Sequence, residues 1–431
     1  MSVSTFAPSG PCFHVVNLGC KVNRVESDEF AARLLAVGGR EVPIEAADVV
    51  IVNTCTVTGE AEKKTRKAVR HALRANDFAR VVVTGCAVAI DPAAYEAMDM
   101  RVSVVPKGRM AELLAGEGFA GEDASSAESG APDEPSASAG GARGGSVARP
   151  SLVRVGGAFP TRAGVKVQDG CNNACTFCIV HVARGRATSR PSADIEAEVR
   201  ALIDAGVREV VLTGINLGSY REGDLRLAGL LRRLLAACEG RRMRFRISSI
   251  EPRDVDDDLI GLMAAERGRI CRHLHLPLQS GSTPVLRAMA RPYTAERFCA
   301  LVERLYDAMP QLSLSTDAIV GFPGETNDDF SRTVAVARAC RFSKMHIFRY
   351  SKRAGTPAAA RPDQVAPEEK ARRAHELEAV ADALREADRA RRAGTRELVL
   401  VETGGLATTE SYHTVDAPRG ANVGDLVECM L

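Results

Sequence analysis

The 431-residue chain has no tryptophan, and aromatic residues make up only 4% of it. This scarcity argues against a surface that binds nucleic acid mainly by stacking bases on many aromatic rings. The sequence has no run of about eighteen apolar residues, so we expect no membrane-spanning helix. Residues 1–11 lack a charged segment followed by an apolar one, so no signal peptide is predicted and a cytoplasmic location is expected.

Neither sign of charge is in clear excess, because 57 Lys and Arg residues face 55 Asp and Glu residues, a net charge of +2. A total this small does not indicate a nucleic-acid partner, so basic contacts have to be sought in local segments. Hydrophobic residues make up 45% of the chain, enough for about two or three globular cores. Its twelve cysteines, without export, favour metal ligands or reactive thiols over disulfides.

Three of the cysteines form a C-x3-C-x2-C array, namely Cys171, Cys175 and Cys178. A structural zinc site is closed by four protein ligands, whereas this short loop provides three thiolates. Thiolates also hold iron–sulfur clusters, and a cluster with one iron lacking a cysteine can bind the amino and carboxylate groups of a small molecule. The array therefore predicts an open iron–sulfur centre, with a plain zinc site and three incidental cysteines as the alternatives.

In the N-terminal region, apolar β-branched runs alternate with amphipathic helices, which predicts a small doubly wound, flavodoxin-like parallel sheet in an α/β protein. The predicted strands are 13–18, 48–53, 80–84 and 102–105. Cys20, Cys55 and Cys86 follow the first three of these strands. Ligands of such sheets bind beyond the carboxyl ends of the strands, so we expect these cysteines to form a second three-thiol site. Three buried structural thiols are the alternative.

The rest of the chain predicts a larger unit and a smaller one after a linker. Residues 116–150 are rich in Gly, Ala, Ser and Pro and predict a flexible linker. Six strand–helix repeats follow and predict a partial (β/α)6 barrel with its chemistry at the carboxyl ends of the strands. Short β-like runs near the end, among them 412–415, predict a small β-barrel module. The predicted units are 12–115, the linker 116–150, 151–394 and 395–431.

Several rim and loop residues are candidates for binding. Polar or small residues at strand ends, with the aromatic residue of the cysteine loop, are predicted to bind a cofactor: Phe177, Thr213, Gly214, Ser248, Ser249, Gln279 and Asp317. A dense basic run is predicted to contact RNA phosphates, with an ordinary exposed loop as the alternative: Arg184, Arg186 and Arg190. Cys271, His273 and His275 alternate along one predicted strand and so share a side. Polar residues of the barrel lumen explain them better than a third metal site.

Three motifs together resemble the radical S-adenosylmethionine methylthiotransferases. They are Leu-Gly-Cys-Lys-Val-Asn at 18–23, Asn-Thr-Cys-Thr-Val-Thr at 53–58, and Gln-Asp-Gly-Cys-Asn-Asn at 168–173 with its following cysteines. The resemblance covers nearly the whole chain except the linker. The first two motifs are closest to the MtaB branch, which modifies N6-threonylcarbamoyladenosine beside the anticodon of tRNA. The branches that act on isopentenyl-adenosine or on a ribosomal-protein aspartate remain alternatives.

The resemblance implies two 4Fe–4S clusters with separate tasks. Cys171, Cys175 and Cys178 would hold the cluster that cleaves S-adenosylmethionine into methionine and a 5′-deoxyadenosyl radical. The other three cysteines, Cys20, Cys55 and Cys86, would hold an auxiliary cluster that carries the sulfur to be methylated and inserted. The resemblance also implies a tRNA substrate, S-adenosylmethionine, an external electron donor and a sulfur source as partners. It further implies an RNA-binding, TRAM-like C-terminal module.

Two competing hypotheses stay open at this point. One is a non-catalytic, redox-responsive iron–sulfur protein that binds RNA. The other is a radical enzyme whose N-terminal cysteines are only structural.

Overall fold

The computed structural model describes residues 10–56, 59–115 and 161–431. The predicted linker 116–150 lies outside these residues. Among the described helices, none combines the length and apolar character that crossing a membrane requires.

The N-terminal unit is a five-stranded parallel sheet in the order β2-β1-β3-β4-β5. Its elements are β1 Cys12–Asn17, α1 Lys21–Ala36, β2 Arg40–Glu41, β3 Val49–Thr54, α2 Gly59–Ala75, β4 Arg80–Gly85, α3 Cys86–Ile90, α4 Ala93–Glu96, β5 Val102–Val104 and α5 Lys107–Ala115. Alternate residues of β3 enter different cores, with Val50 in one core and Ile51 in the other. This strand order is that of the flavodoxin-like fold, whose ligands bind beyond the carboxyl ends of β1 and β3.

The central unit contains six parallel strands in two sheets, with orders β10-β9-β6 and β11-β12-β13. Its elements are β6 Arg162–Lys166, β7 Gln168–Asp169, α6 Val180–Arg184, β8 Thr188–Ser189, α7 Ser192–Asp204, β9 Glu209–Thr213, α8 Leu227–Ala237, β10 Arg244–Ile247, α9 Asp257–Ala265, β11 His273–His275, α10 Thr283–Ala288, α11 Ala295–Ala308, β12 Ser313–Val320, α12 Asn327–Cys340 and β13 Lys344–Arg349. Parallel bridges from Phe245 to Ile270 and from Ser249 to His275 join the two sheets. The α/β class and the six expected repeats are therefore present.

The C-terminal residues form a long helix and an antiparallel sheet in the order β16-β15-β14-β17. The elements are α13 Pro357–Ala360, α14 Pro367–Arg392, β14 Arg396–Val401, β15 Leu406–Thr409, β16 Thr414–Asp416 and β17 Leu426–Met430. The predicted strand 412–415 was placed too early, because Tyr412 has a φ of +69° and lies in the turn before β16. A left-handed residue of this kind interrupts a strand.

Buried arginines attach the C-terminal sheet to the barrel. Arg244 donates to the carbonyl oxygen of Leu398 at 2.7 Å, and Arg246 donates to that of Glu410 at 3.0 Å. Glu209 lies between both guanidinium groups, at 2.6 Å from one and 2.7 Å from the other. Although burial raises the pKa of Glu209, these charges lower it well below its usual range. The buried charges are thus paired, and this matters because an unpaired buried charge would strongly destabilise the fold.

The N-terminal unit contacts the open barrel at edge strand β6 and at the loop that follows edge strand β13. On one side, a Cβ on Gly164 of β6 would lie 2.4 Å from the Val25 side chain, so α1 packs directly on this strand. On the other side, Arg353, which follows β13, pairs with Glu62 of α2 at 3.0 Å. The N-terminal unit therefore spans the gap between β6 and β13, and its strand ends face the barrel opening.

Candidate functional site

The C-x3-C-x2-C array occupies the loop between β7 and α6. Gly170 begins this loop with a φ of +70°, and a Cβ there would lie 2.0 Å from the carbonyl oxygen of Arg186. Only glycine permits this close approach. The loop places Cys171, Cys175 and Cys178 along the wall of a cavity of about 270 Å³ at the carboxyl ends of the barrel strands.

A buried arginine contacts one of the three thiols. Arg291 donates to the Cys175 sulfur at 3.1 Å and pairs with Glu251 at 2.5 Å. Burial raises the pKa of Cys178 to about 11, and the neighbouring Cys175 and Cys171 thiolates act in the same direction. The free thiol is therefore protonated near neutral pH, and binding of a metal cluster would release its proton.

The donor set fits a 4Fe–4S cluster. Three sulfur atoms face one cavity, and the backbone N–H groups of Asn173 and Val180 point at the sulfurs of Cys171 and Cys178, each at 3.4 Å. Hydrogen bonds to sulfur are one of the means by which proteins tune such clusters. The cavity beside the thiols leaves room for a small molecule at the fourth position.

Four of the seven predicted cofactor residues line this cavity. They are Phe177, Ser249, Gln279 and Asp317. Phe177 also packs against the apolar cluster that contains Ile319. The cavity thus has an apolar side and a polar side.

The other three predicted cofactor residues lie beside the cavity, outside its lining as the described residues form it. Gly214 lets the chain pack on Gln168, because a Cβ there would lie 2.9 Å from the Gln168 side-chain oxygen. The carbonyl oxygen of Thr213 accepts a hydrogen bond from Val167 at 2.9 Å. The Ser248 hydroxyl is buried and meets no hydrogen-bonding partner within the described part of the chain. The positions of Thr213 and Gly214 indicate packing at the strand end.

The structure gathers the three N-terminal cysteines at one edge of the first sheet. Cys20 immediately precedes α1, Cys55 follows β3, and Cys86 begins α3. A Cβ on Gly19 would lie 2.9 Å from the Cys55 side chain, so the segment with Cys20 packs on Cys55. A Cβ on Gly85 would lie 2.5 Å from the carbonyl oxygen of Thr54 in β3, and the φ of +104° at this position favours glycine. The edge therefore holds a second group of three thiols.

Arg184 connects this second group of thiols to the loop of the first. Its Nε donates to the Cys86 sulfur at 3.2 Å, and another of its nitrogens donates to Asn23 at 2.6 Å. It also pairs with Glu26 at 3.1 Å and with Asp169, two residues before Cys171, at 2.8 Å. The two groups of thiols are thus joined through one guanidinium group.

This position disagrees with the predicted RNA contact of Arg184. Its side chain is only 1% exposed, because it fills the junction between the N-terminal unit and the barrel. Arg190 is also engaged, since it pairs with Glu198 at 2.7 Å. Arg186 is exposed and stays a candidate for a phosphate contact.

Glu26 makes the stability of this junction depend on pH. It pairs with Lys107 at 2.6 Å and with Lys166 at 3.1 Å, in addition to Arg184. Burial raises the pKa of Glu26, but these three positive charges outweigh burial and lower the pKa from 4.5 to about 2. A carboxyl group with a depressed pKa stabilises the folded state above its ordinary pKa, and this contribution is lost as the pH falls toward the folded-state pKa.

We therefore expect Glu26→Gln to reduce the free energy of unfolding by about 3 kcal/mol at neutral pH, and this difference from wild type should shrink as the pH falls below about 4.5. Urea unfolding of both proteins between pH 7 and pH 3 measures it. Glu303→Gln, which changes an exposed carboxylate on α11, is the matched control. A difference that stays constant with pH would contradict the assigned role of the charge.

The barrel lumen holds a cluster of histidines. His273 and His275 each contact the Ser315 hydroxyl at 3.0 Å. Cys271 instead faces Glu209, 3.9 Å away. The sequence-derived group of Cys271, His273 and His275 is therefore divided between two environments. A different set, His275, Asp317 and His346, has ligand atoms within 4.8 Å of one another, with His275 and Asp317 3.2 Å apart.

Sequence reasoning missed two residues that shape the cavity. Arg291 lies in a loop after α10 that has no recognisable motif, so its contact with Cys175 gave no local signal. Glu251 follows the end of β10 in a polar loop, and nothing in that loop's sequence indicates an ion pair. Its pairing with Arg291 depends on a residue 40 positions away in the chain.

Fold and site together define an enzyme of the radical S-adenosylmethionine class. A family model described as the Radical SAM superfamily matches residues 165–337, and one described as uncharacterized protein family UPF0004 matches residues 12–106. The radical S-adenosylmethionine methyltransferase TsrM from Kitasatospora setae has a similar fold, with a TM-score of 0.55 and 18% identity over 81% of this chain and 77% of that one.

Curated relatives define the family more narrowly. Threonylcarbamoyladenosine tRNA methylthiotransferase MtaB of Bacillus subtilis is 39% identical over 86% of this chain and 80% of the relative. The protein of that name from Thermotoga maritima is 34% identical over 95% of this chain and 92% of its own length. A tRNA-2-methylthio-N(6)-dimethylallyladenosine synthase of Salinispora arenicola is 35% identical over 94% of this chain and 80% of the relative. The chain belongs to the radical S-adenosylmethionine tRNA methylthiotransferase family.

This membership confirms the expected enzyme class and the resemblance found in the sequence. It implies S-adenosylmethionine and a 4Fe–4S cluster as cofactors.

Proposed function

We propose that this protein adds a methylthio group to C2 of N6-threonylcarbamoyladenosine beside the anticodon of tRNA, using two 4Fe–4S clusters. The observation that carries the proposal is the pair of three-thiol groups connected through Arg184. The hydrogen on C2 of adenine is not acidic enough to be removed as a proton, so a radical has to remove it as a hydrogen atom. The radical and the source of sulfur therefore have to meet at one opening. Relatives named for this nucleoside support the choice of substrate.

In this proposal each group of thiols holds one cluster. Cys171, Cys175 and Cys178 would bind the first, and Cys20, Cys55 and Cys86 the second. When bound, the clusters would supply the electron for cleavage of S-adenosylmethionine and the sulfur for transfer.

The cavity residues bind and orient S-adenosylmethionine. Phe177 and Ile319 form an apolar wall for the adenine base, while Ser249, Gln279 and Asp317 offer hydrogen-bonding groups to the ribose and the amino-acid end. Arg291 is held by Glu251 and directs its N–H at Cys175, which fixes the sulfur in place. The exposed Arg186 and the C-terminal sheet are the proposed RNA-contacting surfaces.

The same chemistry on dimethylallyladenosine is the second candidate, because relatives named for that product match at 35–36% identity. The test is an anaerobic reaction of the reconstituted enzyme with tRNA bearing either nucleoside, followed by mass spectrometry of the digested RNA. The proposal expects the methylthio product from threonylcarbamoyladenosine. A product formed only from dimethylallyladenosine would select the second candidate. Absence of both products, with a methylthiolated aspartate in ribosomal protein, would select the third branch.

A further inference from the structure

Lys21 is a lysine without an acidic partner at the opening between the two units. It is the first residue of α1, directly after Cys20, and its ammonium group lies over the Tyr412 ring, 5.3 Å from the ring centre. No carboxylate in the described part of the chain forms an ion pair with it. By contrast, the nearby Lys107 and Lys166 both pair with Glu26. Lys21 therefore differs from these two lysines in having no negative partner among the described residues.

Tyr412 is held beside Lys21 in a strained conformation. It comes from the turn between β15 and β16 and has a φ of +69°, which costs energy for a residue with a side chain. Its ring lies 4.6 Å from the Arg246 guanidinium and 4.9 Å from the His273 ring. Burial raises the pKa of Tyr412, but the positive charges of Lys21, Arg162 and Arg246 outweigh burial and lower it. The C-terminal sheet thus inserts a phenol into an electropositive part of the barrel lumen.

A continuous polar path leads from Tyr412 to the cavity beside the cysteine loop. His273 contacts the Tyr412 ring and the Ser315 hydroxyl. The same hydroxyl contacts His275, whose other ring nitrogen lies 3.2 Å from Asp317. Asp317 lines the cavity. Lys21 and Tyr412 therefore lie on the same lumen as the site proposed to bind S-adenosylmethionine.

The pKa values of His273 and His346, near Lys21, are both lowered. Burial, followed by the charges of Arg246 and Lys21, lowers the pKa of His273 well below its usual range. Burial also lowers the pKa of His346, and the charge of Lys21 acts in the same direction. Lys21 therefore offers an incoming anion an ammonium group that no described carboxylate pairs.

We propose that Lys21, aided by the hydroxyl group of the neighbouring Tyr412, binds the carboxylate of the substrate's N6 substituent and selects it over an uncharged one. The inference rests on the proposed substrate, since a threonylcarbamoyl group has a free carboxylate at neutral pH and a dimethylallyl group is a hydrocarbon. A charge-assisted hydrogen bond to the carboxylate satisfies the ammonium group. A hydrocarbon would cover the ammonium group without pairing it, which disfavours the wrong substrate.

The test compares two anticodon stem–loop RNAs, one with the threonylcarbamoyl group as the free acid and one with its carboxylate converted to the amide. The reconstituted enzyme is assayed with each, and RNA binding is followed in parallel by fluorescence anisotropy. For wild type, we expect KM and Kd to be at least about tenfold lower for the acid, because a hydrogen bond to a charged group contributes about 1.5–3 kcal/mol.

For Lys21→Gln, we expect the ratio of the KM for the amide RNA to the KM for the acid RNA to fall to near one, and the same ratio of Kd values to fall with it. Lys21→Arg should restore part of the preference, and Tyr412→Phe, which keeps the ring and removes the hydroxyl, should reduce it. Lys63→Gln, an exposed lysine on α2 of the same unit, is the matched control and should keep the wild-type ratio. Iron content is measured for every variant to verify that the folded enzyme is compared.

Three results would overturn the inference. An unchanged ratio in Lys21→Gln, while wild type methylthiolates the acid, refutes the role of Lys21 and leaves the proposed function intact. If Lys21→Gln weakens the binding of both RNAs equally, the substitution has a general effect on RNA binding or on structure, and this result also refutes the role of Lys21. No product from the acid with wild type refutes the proposed substrate and the inference together.

Discussion

Cys171→Ala is expected to abolish reductive cleavage of S-adenosylmethionine, with 5′-deoxyadenosine formation reduced at least about a thousandfold. The thiol lines the cavity beside Cys175 and Cys178, and a site with two thiolates does not replace one with three. The measurement is 5′-deoxyadenosine released by anaerobically reconstituted protein after reduction, quantified by chromatography. The methylthio product should disappear with it, since both depend on the same radical.

Cys429→Ala is the matched control for this variant. Cys429 lies on β17 of the C-terminal sheet, and its thiol donates to the adjacent carbonyl oxygen of Met430. Its replacement should leave cleavage within about twofold of wild type. Cleavage that survives in Cys171→Ala but fails in Cys429→Ala would contradict the assignment of the first three-thiol group.

The triple variant Cys20→Ala, Cys55→Ala, Cys86→Ala is expected to separate the two tasks. It should still form 5′-deoxyadenosine from S-adenosylmethionine, because the thiols of the cysteine loop are intact. It should form no methylthio product, because the proposed sulfur-carrying cluster has lost its ligands. The measurement is the ratio of methylthiolated nucleoside to 5′-deoxyadenosine, which should fall by at least about a hundredfold.

Cys12→Ala serves as the control for this separation, since Cys12 begins β1 in the same sheet at the opposite end of the strand from Cys20. Its ratio of products should equal that of wild type. Methylthio product from the triple variant would show that these cysteines are structural. Loss of cleavage in the triple variant would contradict the division of labour, once far-ultraviolet circular dichroism has shown that the variant is folded.

Much of the fold could be predicted because its central strands are buried on both faces. The runs that became β3 and β4 are rich in valine, and their positions differ from the expected ones by a residue or two. β2 has two polar residues and β15 has two threonines in its four, so neither produced a clear pattern. Such short strands are defined by their partners rather than by their own sequence.

The positions of the cysteines could also be predicted, because a strand that is correctly identified places the next residue at a known edge of the sheet. The environment of the arginines could not. A basic run such as 184–190 suggests exposure, yet the charge of Arg184 is neutralised by Glu26, 158 positions earlier in the chain. Tertiary contacts of this kind decide whether an arginine is buried in an ion pair or available to RNA.

The central claim is that both three-thiol groups hold 4Fe–4S clusters. Mössbauer spectroscopy of the chain reconstituted with ⁵⁷Fe, combined with an iron count, tests it most directly. The account predicts about eight iron atoms per chain, all in 4Fe–4S clusters, and about four after the triple replacement of Cys20, Cys55 and Cys86. About four iron atoms in the wild-type chain, unchanged by that replacement, would contradict it.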